Sequence, residues 1–337
     1  MHQRVHPGVV RVTELLDILA CPRCRQSIRS DADGSLRCAN PACVLAAISF
    51  PVVSGQPVLV DFDASVLDRE TVLGRSGVSL IDRGGTGLAR SIAARLSGGK
   101  NLVAERRARE IVSRFAAEKP CILVIGGGTI GSGAEPLYES AGVRLVAFDV
   151  YASSFTSFVA DAHAVPLMDA SVDGVWIQAV LEHVLDPHVV VAEIQRVLKR
   201  DGWVYAETPF MQHVHEGPYD FTRFTHSGQR WLFRHFTEIE SGVVLGAGTQ
   251  LLWAFEHFVR ALTRSRAAGK AARLGLFWLR WFDRLGGERQ TLDAASSLYM
   301  YAQKNSREPF PAVAMPAYYR GADHRATRPG AGGKLTW

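Results

Sequence analysis

The sequence has no apolar run of the ~18 residues that cross a bilayer, which excludes a membrane-spanning helix. Met1 to Pro7 carry no apolar signal segment, so the expected compartment is the cytoplasm. Cysteine is scarce: there are five in 337 residues. In a reducing compartment these read as metal ligands or core residues, not as disulfides. Charge of either sign is nearly balanced, with 38 Lys and Arg against 33 Asp and Glu. The formal +5 is too small an excess to establish a nucleic-acid partner, and none is expected. There is no internal repeat. The composition, 47% hydrophobic and 21% charged, is that of a folded globular chain and excludes a mainly disordered or collagen-like one.

What is present is unevenly distributed. Four of the cysteines fall within the first 43 residues. Behind them Phe50–Val60 reads as strand, tight turn and strand, with Ser54-Gly55-Gln56-Pro57 supplying the turn. Residues 63–117 read as a linker with covering helices, one near Leu88–Leu96 and an amphipathic one over Asn101–Phe115. From Cys121 the rhythm changes to short apolar strands separated by helices: Cys121–Ile125, Arg144–Phe148, Phe158–Val159, Gly174–Ile177 and Trp203–Glu207. Asp186-Pro187 opens a helix that is expected to run through Leu198-Lys199-Arg200 to the Asp201-Gly202 stop. Glu238–Leu245 and Ser297–Gln303 add two candidate strands. Such alternation predicts an α/β fold, a doubly wound, mostly parallel sheet covered on both faces. Residues 306–337, rich in Pro, Gly, Ala and Arg, are expected to form a flexible tail.

Cys21-Pro22-Arg23-Cys24 is one knuckle, and Cys38 with Cys43 forms a second after thirteen residues. Two chain-local pairs joined by a hairpin provide the four thiolates of a structural Zn(II) site. With Leu15-Leu16-Asp17-Ile18-Leu19-Ala20 before the first knuckle and the Phe50–Leu59 hairpin after the second, residues 12–62 resemble the zinc-ribbon activator family of tRNA and release-factor methyltransferases. In that family the ribbon binds and stabilises methyltransferase domains, and residues 1–62 are accordingly expected to form a small zinc-ribbon domain.

Gly126-Gly127-Gly128-Thr129-Ile130-Gly131 follows a strand directly, where glycines let backbone amides approach a ligand. Asp149 ends the next strand, placed to accept both hydroxyls of a ribose. Nicotinamide dinucleotides and S-adenosylmethionine (SAM) both fit this pattern, so an NAD(P)-dependent oxidoreductase stands as an alternative. Asp161-Ala162-His163 and Trp176-Ile177-Gln178-Ala179-Val180-Leu181-Glu182-His183-Val184-Leu185-Asp186-Pro187 favour SAM. This run resembles class I SAM-dependent methyltransferases of the branch with an L-[EH]-H-V-x-D-P segment after strand four. The resemblance spans about 118–245 and implies a seven-stranded sheet. It also implies that Gly126 and Gly128 pack against the methionine half, Asp149 holds the ribose, Asp161 and the Ala162 amide hold the adenine, and Gln178 lies beside the methionine moiety. The acid that the family often has two residues before the first glycine is here Val124.

Methyl transfer to a hydroxyl needs the acceptor aligned and its proton removed. The loop after strand five carries His213, His215, Glu216, Asp220 and Arg223. His215 is the first candidate base, with Asp220 orienting it or a sugar hydroxyl and Arg223 pairing with Asp220 or with an anionic substrate; His183 is a second base. The competing reading is a lid held by an Asp220–Arg223 ion pair. His213, His215, Glu216 and Asp220 are also a candidate divalent-cation set. The stretch from His215 to Thr225 resembles a loop of methyltransferases encoded with bacterial polysaccharide and glycolipid biosynthesis genes, which implies O-methylation of a glycan or lipid-linked glycan. An RNA or protein methyltransferase and a non-enzymatic binding module remain alternatives. Between the last two strands, an insertion over 249–292 carries Leu251–Arg260 and Leu276–Leu285, aromatic and basic together. It suits peripheral contact at the inner face of a membrane through 251–285, or packing on the domain or on a second subunit of a homo-oligomer.

Overall fold

The structure, a computed structural model, describes residues 6–74, 100–115, 118–304 and 308–323. The helix expected near Leu88–Leu96 lies outside them. Strands β1 (Ile28–Ser30) and β2 (Leu36–Cys38) form a separate antiparallel pair. The remaining strands are β3 (Val52–Val53), β4 (Gln56–Leu59), β5 (Cys121–Ile125), β6 (Arg144–Asp149), β7 (Phe158–Ala160), β8 (Val172–Gln178), β9 (Leu198–Pro209), β10 (Phe236–Leu245) and β11 (Ser297–Lys304). They make one nine-stranded sheet in the order β10-β11-β9-β8-β5-β6-β7-β4-β3. Pairings from β4 to β9 along that order are parallel, while β11 runs antiparallel to both β9 and β10.

The expected seven strands are β5–β11. The chain winds outward from β5 to β7 and returns to β8 on the other side of β5, so a crevice opens at the carboxyl ends of these strands. Alternation with period two sorts the core into two layers. Leu123, Ile125, Val146, Phe148, Val175 and Ile177 face one side, together with Leu15, Leu19 and Cys21 of the N-terminal segment. Ile122, Val124, Leu145, Ala147, Trp176 and Tyr205 face the other and pack on Ala104, Ala108 and Ile111 of the helix Leu102–Phe115.

Three expectations are corrected. The N-terminal segment is not a separate domain. Its hairpin extends the central sheet, with Val58 and Leu59 beside Val159 and Ala160, and Ala20 donates to the Pro166 carbonyl at 3.0 Å. The helix opened by Pro187 stops at Val197, because Leu198 already pairs with Val172 and Lys199 reaches Asp173 at 2.8 Å from the start of β9. Part of the expected tail, 308–323, packs back on the body. There Tyr318 stacks on His226 at 5.0 Å and donates to Glu238 at 2.7 Å.

The insertion is the helices Ala247–Thr263 and Arg266–Gly275, the 3-10 stretch Phe277–Arg284 and the helix Glu288–Asp293. Asp283 ties it together by accepting from the Thr249 amide at 2.9 Å and hydroxyl at 2.5 Å. No helix among the described residues is long and apolar enough to cross a membrane.

Candidate active site

The four cysteines come together as the spacing predicts. Cys21 and Cys43 lie 3.9 Å apart, Cys24 and Cys38 3.4 Å, and all four sulfurs are within 4.8 Å of one another. Tetrahedral Zn–S bonds of ~2.3 Å place sulfurs ~3.8 Å apart, so the donor set is compatible with that ion. The knuckles are turned by the chain itself: Arg25 donates to the Cys21 carbonyl and Cys43 to that of Asn40.

The cofactor cleft sits in the crevice at the ends of β5, β6 and β8, with a volume of about 550 Å³. Gly126 and Gly127 both donate to the Phe148 carbonyl, which folds the loop across β6. That turn puts Gly126 at φ +80°, and a Cβ there would meet Val180 at 2.2 Å. A Cβ on Gly131 would lie 2.1 Å from the Gln178 amide oxygen. Gly128 sits behind the cleft and not on its lining: its amide donates to Asp149 Oδ2 at 2.8 Å, while Val150 donates to Oδ1 at 2.7 Å. Glycine here sets the acid, and the acid lines the cleft.

Gly126, Asp149, Asp161, Ala162 and Gln178 all line the cleft. Asp161 is already held on both oxygens, by Ser65 on one and by the His163 amide and ring on the other at 2.9 and 2.7 Å. Burial acts to raise its pKa, but these donors hold the carboxyl below the usual carboxylate range. Gln178 donates to the Ser132 carbonyl and to Glu207, each at 3.1 Å.

Glu207, which the strand pattern alone did not mark, forms the buried floor. It accepts from Asn101 at 2.8 and 3.0 Å and from the Tyr205 hydroxyl at 2.5 Å, and burial pushes its pKa up in spite of these donors. Asn101 also caps the helix that begins at Leu102, accepting from the Ala104 amide at 3.0 Å.

At the mouth of the cleft the two candidate bases meet. His183 and His215 pack edge to face with ring centres 5.0 Å apart. His183 Nδ1 donates to the Tyr219 carbonyl at 2.7 Å, and burial lowers its pKa to about 4, so the ring is neutral. His215 Nδ1 donates to the His213 carbonyl at 3.1 Å. Behind both lies Glu182, 1% exposed. Burial pushes its pKa up to about 8, and neither carboxylate oxygen has a hydrogen-bond partner among the described residues. The only sequence signal for it was a carboxylate set between Leu181 and Val184, both buried.

Asp220 and Arg223 are not brought into the cleft. Arg223 grips Asp220 with two nitrogens and also donates to the Gln212 and His213 carbonyls at 2.9 and 3.1 Å, while Asp220 accepts from the His215 amide at 2.9 Å. Burial raises the Asp220 pKa, but Arg223 outweighs it and holds the carboxyl at about 2. The pair acts as a staple that sets the lid and hence His215. His213 faces away and stacks on His257 of the insertion at 4.4 Å. The cation set expected of His213, His215, Glu216 and Asp220 is therefore not assembled. Among the described residues the imidazoles converge on Glu182 instead.

Comparison with known proteins fits this geometry. Residues 124–206 match the methyltransferase domain family, which decides between the two cofactor classes left open by the glycine loop. A 56-residue stretch is 39% identical to a UPF0434 protein of Stutzerimonas stutzeri (strain A1501), covering 17% of this chain and 85% of that one. Among solved structures, phosphoethanolamine N-methyltransferase 2 of Haemonchus contortus in complex with SAM is 17% identical with a TM-score of 0.44, over 67% of this chain and 59% of that one. A SAM-dependent methyltransferase of Archaeoglobus fulgidus is 15% identical with a TM-score of 0.39, over 65% and 100%. A complex of the Haloferax volcanii Trm112 methyltransferase activator with a methyltransferase is 20% identical with a TM-score of 0.38, over 63% and 97%.

Proposed function

We propose, for a chain that belongs to the UPF0434 family over 56 residues and whose sheet domain is that of a class I SAM-dependent methyltransferase, that the methyl acceptor is an oxygen, the hydroxyl of a sugar in a glycan or lipid-linked glycan. The observation that carries this is the pair of imidazoles at the cleft mouth, each oriented by a backbone carbonyl through Nδ1 so that Nε2 is turned inward. A hydroxyl is a poor nucleophile until it sheds its proton, and a fixed imidazole lone pair or a polarising group beside it answers that need.

SAM, when bound, supplies a sulfonium whose methyl carbon is open to in-line attack. Asp149 would hold the ribose, Asp161 and the Ala162 amide the adenine, and Gln178 the methionine half. The lid residues His215 and Tyr219, with His183, would set the acceptor oxygen on the line of attack. As the O–C bond forms and the S–C bond breaks, the hydroxyl proton leaves toward His215 or His183. Transfer of labelled methyl from SAM to extracted glycan and glycolipid fractions tests the reading. Label in an alkali-stable sugar ether supports it, and label confined to protein or RNA contradicts it.

The four cysteines are proposed to hold structural Zn(II). The insertion is proposed to rest on an anionic membrane surface. Phe258, Trp281 and Leu285 are 57%, 65% and 76% exposed there, next to Arg260, Arg264 and Arg284. Apolar side chains flanked by guanidiniums suit the headgroup boundary, where a lipid-linked acceptor would be found.

A further inference from the structure

We propose that Glu182, His183 and His215 form a divalent-cation site at the mouth of the cleft, taking a first-row dication through one carboxylate and two imidazoles. Their ligand atoms all lie within 4.8 Å of one another. Glu182 Oε1 is 3.6 Å from His183 Nε2 and 3.9 Å from His215 Nε2. These separations are too long for hydrogen bonds. Bonds of ~2.1 Å to a shared ion put neighbouring ligand atoms ~3.0–3.4 Å apart, so each imidazole nitrogen has to close on Glu182 by roughly 0.2–0.9 Å.

Three further features point to an ion. Glu182 is buried with both oxygens unpartnered among the described residues, a costly state for a carboxylate unless a cation meets it. Both imidazoles give their Nδ1 hydrogen to a backbone carbonyl, at 2.7 Å for His183 and 3.1 Å for His215. Each is thereby fixed in the tautomer with its Nε2 lone pair inward, which is how metal-bound histidines are oriented. No hydrogen bond among the described residues joins the three side chains to one another.

The ligands also come from two segments that brace each other, since the Tyr219 carbonyl accepts from His183 and the Glu182 carbonyl accepts from the Phe221 amide. His183 follows β8, and His215 sits on the lid that the Asp220–Arg223 pair staples. Two histidines and one carboxylate leave coordination positions open, and both histidines line the cleft. An acceptor oxygen reaching those positions would be polarised beside the methyl donor, and with both Nε2 lone pairs on the ion its proton would pass to solvent instead of to an imidazole. That use rests on the methyltransferase reading; the binding of the ion does not.

Mn(II) alone is the probe, because its preference for nitrogen and oxygen donors keeps it from displacing an ion held by four thiolates. The full chain is titrated with Mn(II) and the signal of the free ion is followed by electron paramagnetic resonance. One bound ion per chain is expected, with affinity lowered at least ~10-fold in Glu182→Gln and in His215→Ala. Calorimetric titration with S-adenosylhomocysteine reports separately on the fold and the cofactor cleft of each variant. His215→Ala, a change on the partly exposed lid, keeps the test decisive if Glu182→Gln fails to fold. Wild-type protein that leaves the free-ion signal unchanged, or a folded variant that binds Mn(II) as tightly as wild type, overturns the site. Failure of wild type to bind S-adenosylhomocysteine would instead remove the methyltransferase reading and leave the ion result standing on its own.

Discussion

Asp149 shows how little of the cofactor site is left to chance at the level of single residues. Its two oxygens are fixed by the Gly128 and Val150 amides before any ligand arrives. Asp149→Ala should therefore weaken S-adenosylhomocysteine binding roughly 30-fold, the worth of about 2 kcal/mol of charge-assisted hydrogen bonding, as read by calorimetry. Asp220 makes a different prediction. Its folded pKa, about 2, lies below the ~3.9 of an unfolded aspartate, so the unfolded state binds more protons in that window. The pair's stabilisation is complete above pH ~4 and fades as pH falls toward 2. Melting curves of Asp220→Asn should lose that part of the acid dependence, and a variant with the wild-type acid limb contradicts the role. The glycines, Asp149 and the histidines were legible because each belongs to a local pattern. Glu182 and Glu207 were not. A buried carboxylate is recognised by what surrounds it in space, and its partners here, such as Asn101 for Glu207, are distant in the chain.

At the scale of elements, Asn101 joins a helix start to the cleft floor. Asn101→Ala removes the cap and two of the hydrogen bonds to Glu207. A loss of about 1–3 kcal/mol in denaturant unfolding is expected, and a loss below that range would separate the cap from the floor. The existence of β5–β9 was readable because each carries a short apolar run, with the helices Glu135–Glu139 and Pro187–Val197 on two of the connections. The stop of the helix at Val197 was not, since Leu198–Arg200 are good helix residues and only pairing with β8 turns them to strand. The hairpin's place at the sheet edge was hidden for the same reason. Its own residues specify β3 and β4, but the pairing of Val58 with Val159 is a long-range choice.

For the molecule as a whole, the ribbon and the sheet share one core, in which Leu19 and Cys21 pack with Phe148 and Leu167. Loss of the ion that the four cysteines are proposed to hold should therefore destabilise the entire chain. Cys24→Ser or a strong chelator is expected to lower the temperature of a single cooperative transition in calorimetry, whereas a separate low-temperature transition would show a ribbon that folds on its own. In the proposed function the cleft at the ends of β5, β6 and β8 grips the adenosyl cofactor. Calorimetric titration of the full chain with S-adenosylhomocysteine tests it most directly, with Gly131→Val as the paired variant because a side chain there collides with Gln178. One site per chain is expected, lost or weakened at least ~10-fold in the variant; no binding by the wild type, or equal binding by both, would show that the cleft does not hold the cofactor.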